Sequence, residues 1–153
     1  MSSPERLRTA FQRIVRQTGA VDGERTPCGV PVSVSSAHAL MFLLEQSDAR
    51  QPPRQCELQR VLAIDKSNVC RLVARMADDG LVVEKVCPAD GRARRVALTA
   101  QGKRLARELE HSSLARFGAV LDALPREERA ATLAALERLA DALQTAAADA
   151  CLA

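Results

Sequence analysis

Tryptophan and tyrosine are absent from this 153-residue chain, and phenylalanine occurs three times. Readers of single-stranded nucleic acid stack bases on aromatic side chains, so this poverty points to duplex DNA as the better partner. Only two histidines are present, His38 and His111, and neither has the neighbouring acid and cysteine that a nucleophilic site would need. An enzyme is therefore not expected. No CxxC or HxxxH spacing occurs, so no metal site can be read directly and the identity of any metal stays unknown. No run approaches the roughly 18 apolar residues of a membrane span, and the N-terminus carries no signal-like apolar segment. A cytoplasmic protein that does not enter membranes is expected.

What is present suffices for a folded domain. Hydrophobic residues make up 47% of the chain, enough for a core, and charged residues 27%. The length suits one compact domain, or one domain with added oligomerisation helices. The net charge of +3 is unevenly spread: residues 50–107 hold thirteen Lys or Arg against six Asp or Glu, and the remainder nine against thirteen. That is +7 in the middle and −4 elsewhere, the footprint of a nucleic-acid-binding segment rather than of a uniformly solvated surface.

Periodicity predicts a mainly α chain with a small β-hairpin wing. Leu7, Phe11, Ile14 and Val15 share one face of a first helix that ends before Gly19. Ala20 to Val34 reads as a loop. Ser35 and Ser36 can cap a second helix burying Ala37, Leu40, Met41 and Leu44, and Asp48 to Pro53 breaks it. A short third helix from Arg54 to Leu62 buries Leu58, Val61 and Leu62. Asp65 is placed to cap a fourth helix with Val69, Leu72, Val73 and Met76 inward and Ser67, Asn68, Arg71 and Arg75 outward; Gly80 ends it.

Two strands, Leu81 to Val86 and Ala93 to Leu98, follow, with Asp90-Gly91 as the turn signal between them. Thr99 caps a fifth helix carrying Leu105, Leu109, Phe117, Val120 and Leu121. After Pro125 a sixth carries Leu133, Leu136, Leu139 and Leu143, and the tail from Ala146 is expected to fray. A capped basic helix followed by an arginine-tipped hairpin suits a winged helix–turn–helix: one element enters a groove while the other grips the backbone beside it. The expected organisation is an N-terminal dimerisation helix and loop over 1–34, a DNA-binding domain over 35–99 and C-terminal dimerisation helices over 100–153. Two readers held at a fixed separation are what paired half-sites require, which favours a homodimer.

The stretch from residue 35 to 110 resembles the MarR family of bacterial regulators. The resemblance is carried by Glu57-Leu58, Leu62 and Ile64-Asp65; by Ser67-Asn68-Val69-Cys70-Arg71-Leu72-Val73-Ala74-Arg75-Met76; by Gly80-Leu81-Val82; and by Asp90-Gly91-Arg92-Ala93, Val96-Ala97-Leu98-Thr99 and Gly102. It departs from the family's usual residues at Arg54, Gln59 and Cys70. The resemblance implies a winged-helix homodimer on a pseudo-palindromic duplex operator, with repression the usual mode. Ser67, Asn68 and Arg71 would meet base edges, and Lys66 and Arg75 would lie near phosphates. Arg92, oriented by Asp90, would enter the minor groove. The chemistry agrees: Arg pairs two-pronged with guanine, Asn with adenine, and a narrow minor groove attracts Arg. Arg94 and Arg95 are expected on phosphates, adding affinity without sequence information. The alternative is a winged-helix module that binds protein partners without specific DNA binding; the Asp90–Arg92 pair argues against it.

Family members let go of DNA when a small phenolic or lipophilic effector binds, a cysteine is oxidised or a metal ion binds. Five cysteines are many for an intracellular chain. Cys28, in the Pro27-Cys28-Gly29 loop, is expected to be the most exposed, and Cys56 and Cys70 to pack as small hydrophobes. Cys87 lies in the wing beside Lys85 and Arg92, where positive charge favours a thiolate. Cys28, Cys87 and His38 are the sensing candidates; for each, an incidental structural role is the competing reading.

Overall fold

The computed structural model describes residues 2–19, 26–87 and 90–150, without the side chains of 87, 90–93 and 147–150. In chain order the elements are α1 (Ser3–Thr18), α2 (Val34–Glu45), α3 (Gln55–Leu62), α4 (Lys66–Asp78), β1 (Val82–Cys87), β2 (Asp90–Leu98), α5 (Ala100–Asp122) and α6 (Arg126–Ala150). Among the described residues, six helices and one antiparallel hairpin make the mainly α winged helix expected of the sequence. The chain divides into two compact units, residues 1–113 and 114–153.

In the first unit the core gathers Ala37, Ala39, Leu40 and Leu43 from α2, Leu58 from α3, and Val69, Leu72, Val73 and Met76 from α4. Val82 and Val96 close it from the hairpin root, and Ala106 and Leu109 from α5. The α4 stripe is as expected. The α2 stripe is not: Leu43 and Ala39 are buried, whereas Met41 and Leu44 are half-buried. Residues 39–44 are apolar without interruption, so spacing cannot fix which side turns inward. Val61, expected inside, is 54% exposed at the end of α3. The cap of α2 is Ser33, one turn before the expected pair, and its side chain accepts from the Ser36 N–H (3.1 Å).

Both ends of α4 follow from its sequence. Asp65 is in extended conformation and its carboxylate accepts from the Asn68 N–H (2.9 Å). At the other end Gly80 adopts φ 69, with Gly80 N–H donating to Ala77 O and Leu81 N–H to Met76 O, each at 2.9 Å. This left-handed exit turns the chain directly into β1.

The hairpin pairs Val82 with Leu98 through Val86 with Arg94, then shifts register so that Cys87 faces Asp90. Asp90 and Gly91 are therefore the first residues of β2 rather than the turn; residues 88 and 89, between the strands, lie outside the described residues. The segment expected only to break α2 pairs with the wing. Val96 N–H donates to Pro53 O (2.9 Å), and Arg54 bridges Arg95 in antiparallel fashion. A proline can join a ladder through its carbonyl, and Pro53 is buried there.

Thr99 caps α5, accepting from Gly102 N–H at 3.0 Å. Its hydroxyl lies 2.7 Å from Gly80 O, to which it donates, and its backbone N–H donates to Leu81 O (3.0 Å). Gly102 packs so closely there that a Cβ would fall 1.9 Å from Leu81 O. In contrast α1 buries none of its side chains, and Leu7, Phe11 and Ile14 stand open. In the second unit Phe117, Val120, Leu133, Leu136 and Leu143 are likewise exposed. Arg129 ties α5 to α6 by pairing with Asp122 (3.2 Å) and donating to Leu124 O (3.2 Å). The tail expected to fray from Ala146 is helical through Ala150, since nothing in its Ala-rich sequence stops a helix.

Candidate nucleic-acid interface

With Val69, Leu72, Val73 and Met76 buried, α4 necessarily presents the other side of its cylinder outward. Lys66, Ser67, Asn68, Arg71 and Arg75 are all exposed on it. Ser67, Asn68 and Arg71 are joined by one run of hydrogen bonds starting at the cap. Asp65 accepts from the Ser67 hydroxyl (2.6 Å) and from the Asn68 side-chain amide, while Asn68 Oδ1 accepts from the Arg71 guanidinium (2.7 Å). The Ser67 hydroxyl is the main cause, and the Asn68 N–H the next, of the Asp65 carboxyl titrating below its ordinary value; the slight desolvation works the other way. The three side chains expected to read bases are thus pre-arranged on one solvent-facing strip. Arg75 has no ion pair with Asp78 or Asp79 among the described residues and stays available.

The two wing cations part company. Arg94 is exposed. Arg95 is half-buried, its guanidinium donates to Pro52 O, and its Nε is buried without a partner. The bond to Pro52 ties the wing root to the 52–54 segment. The side chains of Asp90, Arg92 and Cys87 lie outside the described residues.

The cysteine expectations need correction. Cys28 is half-buried against the core, its Sγ 3.0 Å from the Thr26 hydroxyl. Thr26, itself buried, also bonds Val30 through both N–H and C=O, so residues 26–30 form a compact turn against the core. Cys56 and Cys70, expected inside, are exposed. Both occupy helix positions off the apolar stripe, and periodicity outranks the cysteine's general liking for interiors. No cluster of three or more His, Cys, Asp or Glu that could hold a metal exists among the described residues. His38 is exposed and lines a cleft of about 430 Å³ between α2 and α3 with Met41, Phe42, Glu45, Val61 and Leu62.

One participant was not visible in the sequence. Gln55, at the start of α3, donates from Nε2 to Glu84 Oε2 on β1 (3.2 Å), and its Oε1 accepts from the Cys70 thiol of α4 (3.7 Å). The two links span 29 and 15 residues, beyond the reach of any local spacing rule.

A MarR family model matches residues 29–93, which hold α2 through the hairpin. Solved structures agree over nearly the whole chain. One described as a probable transcriptional regulator from Pseudomonas aeruginosa is 25% identical, covers 90% of this chain and 96% of its own, and superposes with a TM-score of 0.67. A MarR-family transcriptional regulator from a Rhodococcus species is 22% identical, with 96% of each chain covered and a TM-score of 0.68. CouR from Rhodococcus jostii, bound to p-coumaroyl-CoA, is 24% identical over 90% of this chain and 89% of its own, at a TM-score of 0.66. No helix among the described residues is long and apolar enough to cross a membrane. The stretch that matches the MarR family model also carries the capped, outward-facing α4 and its hairpin, and the solved structures share this winged-helix fold.

Proposed function

We propose that the chain is a homodimeric, sequence-specific regulator of transcription that binds a pseudo-palindromic duplex operator and acts by repression, in the cytoplasm where such an operator is met. The observation that carries this reading is the strip Ser67, Asn68, Arg71 on a helix whose other side is fully committed to the core. Ser67, Asn68 and Arg71 take base edges. Lys66, Arg75 and Arg94 take phosphates, and Arg92, steadied by Asp90, takes the minor groove. Arg95 serves as the anchor of the wing. Residues 35–99 form the reader, and the flanking segments 1–34 and 100–153 supply the dimer contacts. Open apolar side chains on α1, α5 and α6 support that division.

Release follows binding of a small phenolic or lipophilic effector, with thiol oxidation or a metal ion as the other triggers, each acting through its different affinity for two arrangements of the dimer. The His38 cleft, with Phe42 and Met41 on its wall, is the place for an effector; CouR is bound to p-coumaroyl-CoA, whose acyl end is phenolic.

The test is a mobility shift with the DNA upstream of its own gene, repeated at rising salt. A steep fall of affinity is expected, about 0.9 in log–log slope per phosphate neutralised. A slope near zero contradicts the reading and favours a protein-binding module. Arg71→Ala should erase about 1–3 kcal/mol of discrimination at one base pair, while Arg94→Ala weakens cognate and random DNA alike. Equal effects of both changes on both DNAs would sink the assignment.

A further inference from the structure

We propose that Gln55 is a positioning residue that sets the wing against the reading helix, an inference that rests on the DNA-binding reading above. A winged reader makes two contacts at once, and the second is cheap only if the wing is already in place when α4 enters its groove. The hairpin root is fixed by the core at Val82 and Val96 and by the 52–54 segment, through Val96 N–H to Pro53 O and Arg95 to Pro52 O. The shared core and the Gly80–Leu81 exit also join that root to α4, but they act at the base of the hairpin, short of Glu84. Of the described polar side chains, Gln55 reaches both elements: Nε2 meets Glu84 on β1 and Oε1 meets the Cys70 thiol on α4.

The side chain is suited to this by its chemistry. A carboxamide offers a donor and an acceptor at one end, so it can meet a carboxylate on one side and a thiol hydrogen on the other. A glutamate there would repel Glu84, and a lysine would lose the acceptor for Cys70. Gln55 sits at the first position of α3, one residue after Arg54, which bridges β2. Neighbouring residues thus hold both strands of the wing, and among the described side chains Gln55 passes that hold on to α4 by a hydrogen bond. Glu84 and Cys70 are exposed, so the link contributes little to overall stability and acts on geometry instead.

The experiment uses the full chain and a duplex enriched from a randomised pool by the wild-type protein. Gln55→Ala should weaken binding about two- to tenfold, the range for one lost neutral hydrogen bond. Arg94→Ala, on the wing, should then cost less in the Gln55→Ala background than in wild type, because the wing contact is already impaired. Arg71→Ala, on α4, should cost the same in both. The exchange Gln55→Glu with Glu84→Gln restores a donor opposite an acceptor and should recover affinity, whereas Gln55→Glu alone should not. Glu84→Ala should reproduce Gln55→Ala, which guards against a folding defect in either variant. If Gln55→Ala interacts equally with both arginine changes, or with neither, the positioning role is overturned while DNA reading stands. If no duplex is enriched, or neither arginine change weakens binding, the DNA-binding reading itself fails.

Discussion

Asp65 combines two tasks in one carboxylate: it caps α4 through the Asn68 N–H and holds the Ser67 and Asn68 side chains. Its carboxyl titrates lower in the folded chain than in the unfolded one. The charged form is therefore favoured by folding, and Asp65 stabilises the native state above the ordinary aspartate value of about pH 4. That contribution fades as the pH falls through the lowered folded value. Asp65→Ala should melt below wild type at neutral pH, and thermal melts at decreasing pH should show the gap narrowing as the wild-type carboxyl protonates. A gap that stays constant down to strongly acid pH would assign the whole effect to helix propensity. Asp65, like Gly80, was legible in the sequence because its partners lie within three residues, where side-chain chemistry alone dictates the outcome. The Arg95 contact was not legible, for the opposite reason. Its partner Pro52 is 43 residues away, and a surface arginine on a strand gives no local sign of which carbonyl it will find.

At the scale of elements, the ends and inward face of α4 and the order of the two strands could be read from spacing and punctuation, whereas the start of α2 and the end of α6 could not. The inward face of α2 could not, because a helix apolar on nearly every side has no preferred phase until its neighbours are in place. The β2 partnership of Pro53 and Arg54 was hidden behind a double proline that signals only a break. The joint between α4, β1 and α5 was half legible. Thr99 announces a cap, but nothing local reveals that Gly102 must let the Leu81 carbonyl approach. Since a Cβ there would meet Leu81 O at 1.9 Å and its carbonyl carbon at 2.9 Å, backbone must shift to admit it. Gly102→Ala should cost about 1–3 kcal/mol by urea denaturation, as overpacking does, despite alanine's better helix propensity. A stabilised variant would show that the start of α5 can move away at no cost.

At the scale of the molecule, most of the open apolar side chains among the described residues fall into sets on α1, late α5 and α6: Leu7, Phe11 and Ile14 in one, Leu114, Phe117 and Val120 in another, Leu133, Leu136 and Leu143 in a third. Exposed apolar sets of this kind favour association, and the homodimer proposed above would cover them while giving paired half-sites two readers. Sedimentation velocity should find a dimer at micromolar concentration, and Phe117→Glu combined with Leu136→Glu should shift it toward monomer. The double variant should also lose most of its affinity for a full operator while keeping the weak binding of a half-site. A wild-type chain that sediments as a monomer would remove the geometric basis for paired recognition.

The joint at Thr99 also bears on how a signal would travel. One hydroxyl and one N–H of Thr99 grip the carbonyls of Gly80 and Leu81, and Gly102 leaves no gap beside them. A coupling with so little backlash behaves as a keyed shaft: when the first turn of α5 rotates, the trailing end of α4 must rotate with it. Small changes in spacing between two copies would then be delivered to their reading strips undiminished.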